Sequence, residues 1–293
     1  MLQTVFNGIL QGLSLAVLGV AFGTVAATSR IFYVALGALY AASPYVFAAL
    51  RQWSQPWPAA LLETILIIAA LSLLCEEWIH WPLNRSHSPD EVHFISSLGA
   101  YVAIEQALAL AWGNDPRFLE GTGVVVRSMG SLRITGGQLV GAIAAVLCLL
   151  LLLVWLRFSE AGITWRALAD NSDLLSVLGR NVRTIRRAVF AVSGALVCVV
   201  SLASALDVGY DPRVGMPAVI AGLAVAIIGG RGAFGWIAVA GCALGILRAT
   251  VAWFLTSRWQ EAATMLLMVL ALLFFPRGLR ALTDSQRRLE DTL

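Results

Sequence analysis

The sequence contains no lysine; all twenty of its basic residues are arginine. A phosphate-binding loop of the Walker type is therefore excluded, because its phosphate-contacting lysine has no candidate, and so is any Schiff-base chemistry. Charge of either sign is scarce at 13% of residues, while 59% are hydrophobic and the mean hydropathy is +0.82. A soluble core of 293 residues does not tolerate that balance, and several runs reach the ~20 apolar residues a bilayer crossing needs. The net charge of +3 is small and scattered over loops, which implies no nucleic-acid surface. Cysteine is limited to Cys75, Cys148, Cys198 and Cys242, in or beside apolar runs and without metal-ligand spacing. They read as small packing residues, not disulfides. The first apolar run lacks a basic start and leads into further spans, so no cleavable signal peptide is expected.

What is present is a series of apolar segments. Spans are expected at Val5–Ala27, Phe32–Leu50, Ala59–Glu76, up to Trp112, Leu139–Leu156, Ala188–Leu206, up to Phe254, and Gln260–Phe275. Gly8, Gly12, Gly19 and Gly23 in the first would let a neighbouring helix approach closely. Pro44 predicts a kink or break in the second. The run Ala218–Ile228 would be only ~17 Å long as a helix, too short to cross. Pro217 before it and Gly229-Gly230 after it fit a broken or re-entrant segment. The fold class is thus an all-α polytopic membrane protein of about eight to nine transmembrane helices. Its transmembrane domain covers 1–280, and a polar tail follows over 281–293.

Two polar stretches break the pattern. GVVVRSMGSLRITGG alternates enough to predict a small β-hairpin. EEWIHWPLNRSHSPDEVHF holds all three histidines, His80, His87 and His93, among Glu76, Glu77, Asp90 and Glu91. No two of these histidines have helix-face spacing and no cysteine is near them apart from Cys75. A polar loop is expected rather than a metal site.

The largest charged loop, 157–187, carries six arginines, and that excess assigns it to the cytoplasm. With nine crossings the C-terminus is then cytoplasmic and the N-terminus outside. Two short helices are expected within the loop. Thr164 would cap the first, Trp165–Ala169. Asn171, Ser172 or Asp173 would cap the second, Leu174–Leu178, which stops at Gly179. Leu174, Leu175 and Leu178 would share one face of it, more apolar surface than a solvated loop needs.

RALADNSDLLSVLGRN in that loop resembles the cytoplasmic loop of ABC-importer permeases, in the type that takes up branched-chain (hydrophobic) amino acids. The match runs through Arg166, Ala167, Ala169, Asp170, Ser176, Leu178, Gly179 and Asn181. Further matches are Glu76, Pro82 and Leu83 (with Asn84 in place of arginine) and Ile95-Ser96-Ser97-Leu98-Gly99. Gly229, Gly230 and Gly232 match a glycine-rich turn, Gly241 and Gly245 the helix after it, and Phe275-Pro276-Arg277-Gly278-Leu279 the closing signature.

The resemblance implies a permease subunit with no catalytic residue, metal or cofactor of its own. ATP and magnesium would be bound by two partner ATPase subunits. A second, homologous permease subunit and a periplasmic solute-binding protein would complete the assembly in a bacterial inner membrane. It also implies a coupling helix made of Asp173, Leu174, Leu175, Ser176, Leu178 and Gly179, which docks on the ATPase. A translocation path is implied near Tyr33, Leu36 and Gly37, where relatives carry a more polar stretch with histidine at Leu36. Glu105 and Arg248 stand where relatives tend to have glutamine and glutamate. Two opposite charges at similar depth are expected to pair inside the bundle. The alternative is a secondary, ion-coupled transporter, which would need carboxylates deep in the bilayer; only Glu63 and Glu105 qualify.

Overall fold

The computed structural model describes residues 2–86, 88–119, 126–129, 132–170, 175, 177–230, 232, 234–256 and 259–274. Eleven helices are described, with one β-hairpin. In order they are α1 (Leu2–Ser29), α2 (Ala35–Gln52), α3 (Trp57–Cys75), α4 (Trp81–Arg85) and α5 (Asp90–Trp112). Strands β1 (Val126–Met129) and β2 (Leu132–Thr135) follow. The rest are α6 (Gly136–Phe158), α7 (Glu160–Asp170), α8 (Val182–Asp207), α9 (Gly215–Gly229), α10 (Phe234–Phe254) and α11 (Trp259–Phe274). Seven helical segments are long and apolar enough to cross a membrane; α11 is shorter. α2 is enclosed by α3, α5, α8 and α9, and runs unbroken through Pro44. This is the expected all-α polytopic fold.

The strands pair antiparallel, from Val126 with Thr135 to Met129 with Leu132, as the alternating pattern predicts. Thr135 then starts α6 through a capping box: its hydroxyl accepts from the Gln138 amide, and the Gln138 side chain accepts from the Thr135 amide. Hairpin and charged loop lie at opposite ends of α6, which defines a hairpin end and a loop end of the bundle.

Small residues set the closest packing. α1 and α10 run antiparallel with Gly12 facing Gly245 and Ala16 facing Gly241. A Cβ on Gly245 would lie 2.3 Å from the Gly12 Cα, and one on Gly241 would lie 2.4 Å from the Ala16 Cα. Without side chains between them the two backbones touch, the arrangement that glycine permits in lipid. Gly229 ends α9 directly against Ile237, and Gly230 (φ +90°) and Gly232 (φ +74°) carry the turn into α10.

α9 begins inside the bundle. Backbone hydrogen bonds tie Tyr210 to Arg117, just past the end of α5, and the chain then descends through a 3₁₀ turn, Pro212–Val214. At Gly215 it meets Gly37 and the ring of Tyr101, twelfth of the 23 residues of α5. At ~22 Å, α9 alone is shorter than the ~30 Å hydrocarbon core and starts midway along α5; only together with the 3₁₀ turn, as Pro212–Gly229, is it one of the seven segments long enough to cross. The helix starts three residues before the expected run and includes Pro217 in its first turn, where a missing amide costs nothing.

Three expectations need correction. The third span does not end at Glu76. After α3 the chain continues through one π-helical turn, Glu76–His80, into α4, so the expected polar loop is largely helix. Thr164 caps nothing: α7 already runs from Glu160, and the Ser159 hydroxyl accepts from the Gly162 amide. Glu105 and Arg248 form no ion pair. Glu105 lies one turn from Tyr101 on α5, a helix packed against α2, while Arg248 sits on α10 beside α1 with Glu261 as its charged neighbour. Equal depth along two helices does not bring them to one face.

Candidate functional site

Two regions gather polar side chains inside this apolar bundle. One lies under the charged loop. Arg183, Arg186 and Arg187 occupy the first turns of α8, which Asn181 caps by accepting from the Thr184 amide. They face Glu76 and Glu77 on the π turn. Arg186 reaches both oxygens of Glu76, at 2.6 and 3.2 Å, and both side chains are buried. Arg183 holds Glu77 at 2.5 Å and lies 4.7 Å over the Trp81 ring, and Arg187 takes the other Glu77 oxygen. Three of the loop's six arginines are therefore ion-paired inside the chain, to two carboxylates, with Glu77 shared by Arg183 and Arg187.

Behind these pairs, His80 and His93 are buried with their Nδ1 atoms 3.3 Å apart and their rings stacked. One Nδ1–H donates to the other ring's lone pair, so the pair shares one proton. Tyr33 meets His80 edge-on and packs on Phe190. Among the described residues no three histidine, cysteine or carboxylate side chains cluster as a metal would require. His87 lies outside the described residues.

The loop itself packs back on the bundle. On α7, Trp165 is buried edge-on to Trp155 of α6, and Gly162 sits against the Leu156 backbone. Of the expected coupling helix, Asp173, Leu174 and Ser176 lie outside the described residues. Leu175 is helical and buried, while Val177 and Leu178 are 83% and 70% exposed. Gly179 (φ +76°) closes the turn, with the Arg180 amide donating to the Leu175 carbonyl. The exposed apolar pair is Val177 and Leu178. Leu175 does not share their face, because it anchors the segment to the bundle.

The second region is a cavity of about 410 Å³ near the hairpin end. One wall is α1, which turns Asn7, Gln11 and Ser14 towards it at i, i+4, i+7 spacing. Beside α1 on the same side stands Arg248 of α10, and opposite stand Gln138 of α6 and Ser204 and Asp207 of α8. The floor is apolar, from Leu15 and Leu18 to Val214, Pro217 and Ala221 beside the start of α9. Asp207 is fixed by the capping box of α6: Thr135 Oγ1 donates to Oδ1 at 2.6 Å and Gln138 Nε2 donates to Oδ2 at 3.3 Å. Arg248, half-buried, makes no hydrogen bond or ion pair with any described residue. A smaller cavity of about 250 Å³ adjoins through Asn7 and Gln11 and is bounded by Trp253 and Gln260.

Of the five residues expected along a path, Arg248 alone lines this cavity. Tyr33 and Leu36 are buried in the core, Gly37 is pressed against Gly215 and Val219, and Glu105 lies on α5 away from it. Asp207 and Gln138 were not singled out from the sequence. Their signal was the helix cap Thr135–Gln138, which is legible, whereas the α8 carboxylate it holds is a long-range contact.

Over residues 4–274 the sequence matches the family described as branched-chain amino acid transport system, permease component. It is 26% identical to the high-affinity branched-chain amino acid transport system permease protein LivH of Escherichia coli K12, covering 95% of this chain and 94% of that one. It is 24% identical to the corresponding protein BraD of Pseudomonas aeruginosa, covering 95% of both. The fold is also similar to a chain in the structure of PsaBC from Streptococcus pneumoniae in complex with Fab (TM-score 0.54, 11% identity, covering 94% of this chain and 92% of that one). The chain is a multi-pass membrane protein and belongs to the family of permease components of branched-chain amino acid transport systems.

Proposed function

We propose that this chain is one permease subunit of an ATP-driven importer. It would form half of the translocation path for a small hydrophobic amino acid or related small organic solute. A periplasmic binding protein delivers the solute, a second homologous permease completes the path, and two ATPase subunits bind ATP and magnesium. The chain lies in a bacterial inner membrane with its C-terminus and the 157–187 loop in the cytoplasm.

The observation that carries this reading is the way the loop is fastened. Among the described residues at its tip, Val177 and Leu178 are apolar and exposed. Directly behind them, α7 packs on α6 and α1, and α8 grips the π turn through Glu76 and Glu77. A push on the tip is passed to whole helices, because the connections are a backbone and a tryptophan pair packed together on α7 and α6 and, on α8, the buried Arg186–Glu76 pair. Closure of the ATPase pair then rocks those helices, and rigid-body motion suffices for alternating access. ATP chemistry takes place in the partners; what this chain contributes is the lever and the path.

The test is purification of the tagged chain from its native membrane, followed by reconstitution into liposomes. Co-purification of two ATPase subunits, with uptake of labelled L-leucine that needs both ATP and the binding protein, supports the reading. Uptake driven by a proton or sodium gradient without ATP would replace it with a secondary transporter.

A further inference from the structure

The cavity at the hairpin end is lined by two opposite charges that do not touch. Arg248 carries a guanidinium that pairs with no described residue, and Asp207 a carboxylate held in place by Thr135 and Gln138. An ion pair would be the cheapest fate for two such groups in a half-buried space. The fold prevents it by tying Asp207 to the cap of α6. The carboxylate keeps acceptor capacity, since two donors occupy only part of its four lone-pair sites. No described residue takes any of the five donors of Arg248, which lie in the planar fork that suits a carboxylate.

Between the charges the wall on the α9 side is apolar. The volume of about 410 Å³ falls within the ~300–1,000 Å³ usual for small-molecule sites. α9 also starts beside this cavity, so the positive end of its helix dipole adds potential there.

We propose that this cavity is a zwitterion site, in which Arg248 receives the carboxylate and Asp207 the ammonium of an amino acid whose apolar side chain rests on the floor at Pro217 and Ala221. The inference rests on the permease reading and specifies which residues of the chain recognise the solute. A solute lacking either charge leaves one of the two half-buried groups without a counter-charge, and that penalty provides the selectivity.

The test is saturation-transfer NMR on the full chain in lipid nanodiscs with three probes of equal apolar shape. L-leucine has both charges, 4-methylpentanoate only the carboxylate, and 3-methylbutylamine only the ammonium. Arg248→Gln should weaken L-leucine and 4-methylpentanoate by about tenfold or more and leave 3-methylbutylamine unchanged. Asp207→Asn should do the reverse, and Arg248→Lys should fall between wild type and Arg248→Gln. Binding of all three probes unaffected by Arg248→Gln overturns the proposal. So does a wild-type chain that binds none of them, or one that binds the two singly charged probes as well as leucine. None of these results bears on ATP-dependent uptake by the assembled importer, so the zwitterion site can fail while the importer reading stands.

Discussion

Arg186 holds Glu76 by both carboxylate oxygens, with each side chain sealed from solvent. Removing one partner leaves the other charge buried alone. Glu76→Gln should therefore destabilise the chain by about 3–5 kcal/mol, whereas Glu76→Met with Arg186→Met should cost much less. Thermal unfolding in detergent distinguishes these outcomes, and an additive double mutant would show the pair to be incidental.

The loop tip separates stability from coupling. Val177→Asp with Leu178→Asp should leave the unfolding temperature unchanged, because both side chains are exposed, and should abolish co-purification of the ATPase. Leu175→Asp should instead destabilise the chain itself, since it buries an unpaired charge. Retained ATPase binding in the exposed double mutant would refute the docking role.

Glycine positions in α1 and α10 should be sharply unequal to Gly99. Gly245→Ala drives a methyl group into the Gly12 backbone and should cost about 1–3 kcal/mol or more. Gly99→Ala meets no atom within 4 Å and should be neutral or slightly stabilising. Yield of monodisperse protein and the unfolding midpoint report both.

Glu105 and Arg248 should behave independently. With no ion pair between them, the coupling free energy in a Glu105→Gln, Arg248→Glu cycle should stay within about 0.5 kcal/mol. A coupling of several times that size would mean the two charges communicate.

Much of the bundle is legible in the sequence because lipid leaves few choices: an apolar run of sufficient length is a helix. The hairpin was legible from its alternation and the α1 contacts from Gly8, Gly12, Gly19 and Gly23. What escaped is long-range. Glu76 and Glu77 look like the end of a span, yet the helix continues because Arg183, Arg186 and Arg187 neutralise them and Pro82 falls in the first turn of α4, just after the π turn, where a missing amide is tolerated. His80 and His93 looked like polar loop residues and are buried against each other for the same reason. The expected Glu105–Arg248 pair failed because depth along a helix can be counted from sequence, but the rotation of two helices about their axes cannot.

The contact between α1 and α10 also restricts how the cavity can open. Where backbone meets backbone there is no layer of side chains to slide or re-pack, so these two helices move as a single plank. Asn7, Gln11 and Arg248 all ride on that plank, whereas Gln138 and Asp207 belong to the opposite wall of α6 and α8. The charged loop touches both sides, since α7 packs on α6 and α1, but its ion pairs are made on the opposite wall, through the grip of α8 on Glu76 and Glu77. A gate in this subunit is therefore a change in the gap between plank and wall, and spin labels on Thr4 and Ala249 should keep one separation throughout the ATP cycle. Every stroke of such a gate stretches or closes the distance from Arg248 to Asp207, so a solute held by both ends is released by the same movement that opens its way out.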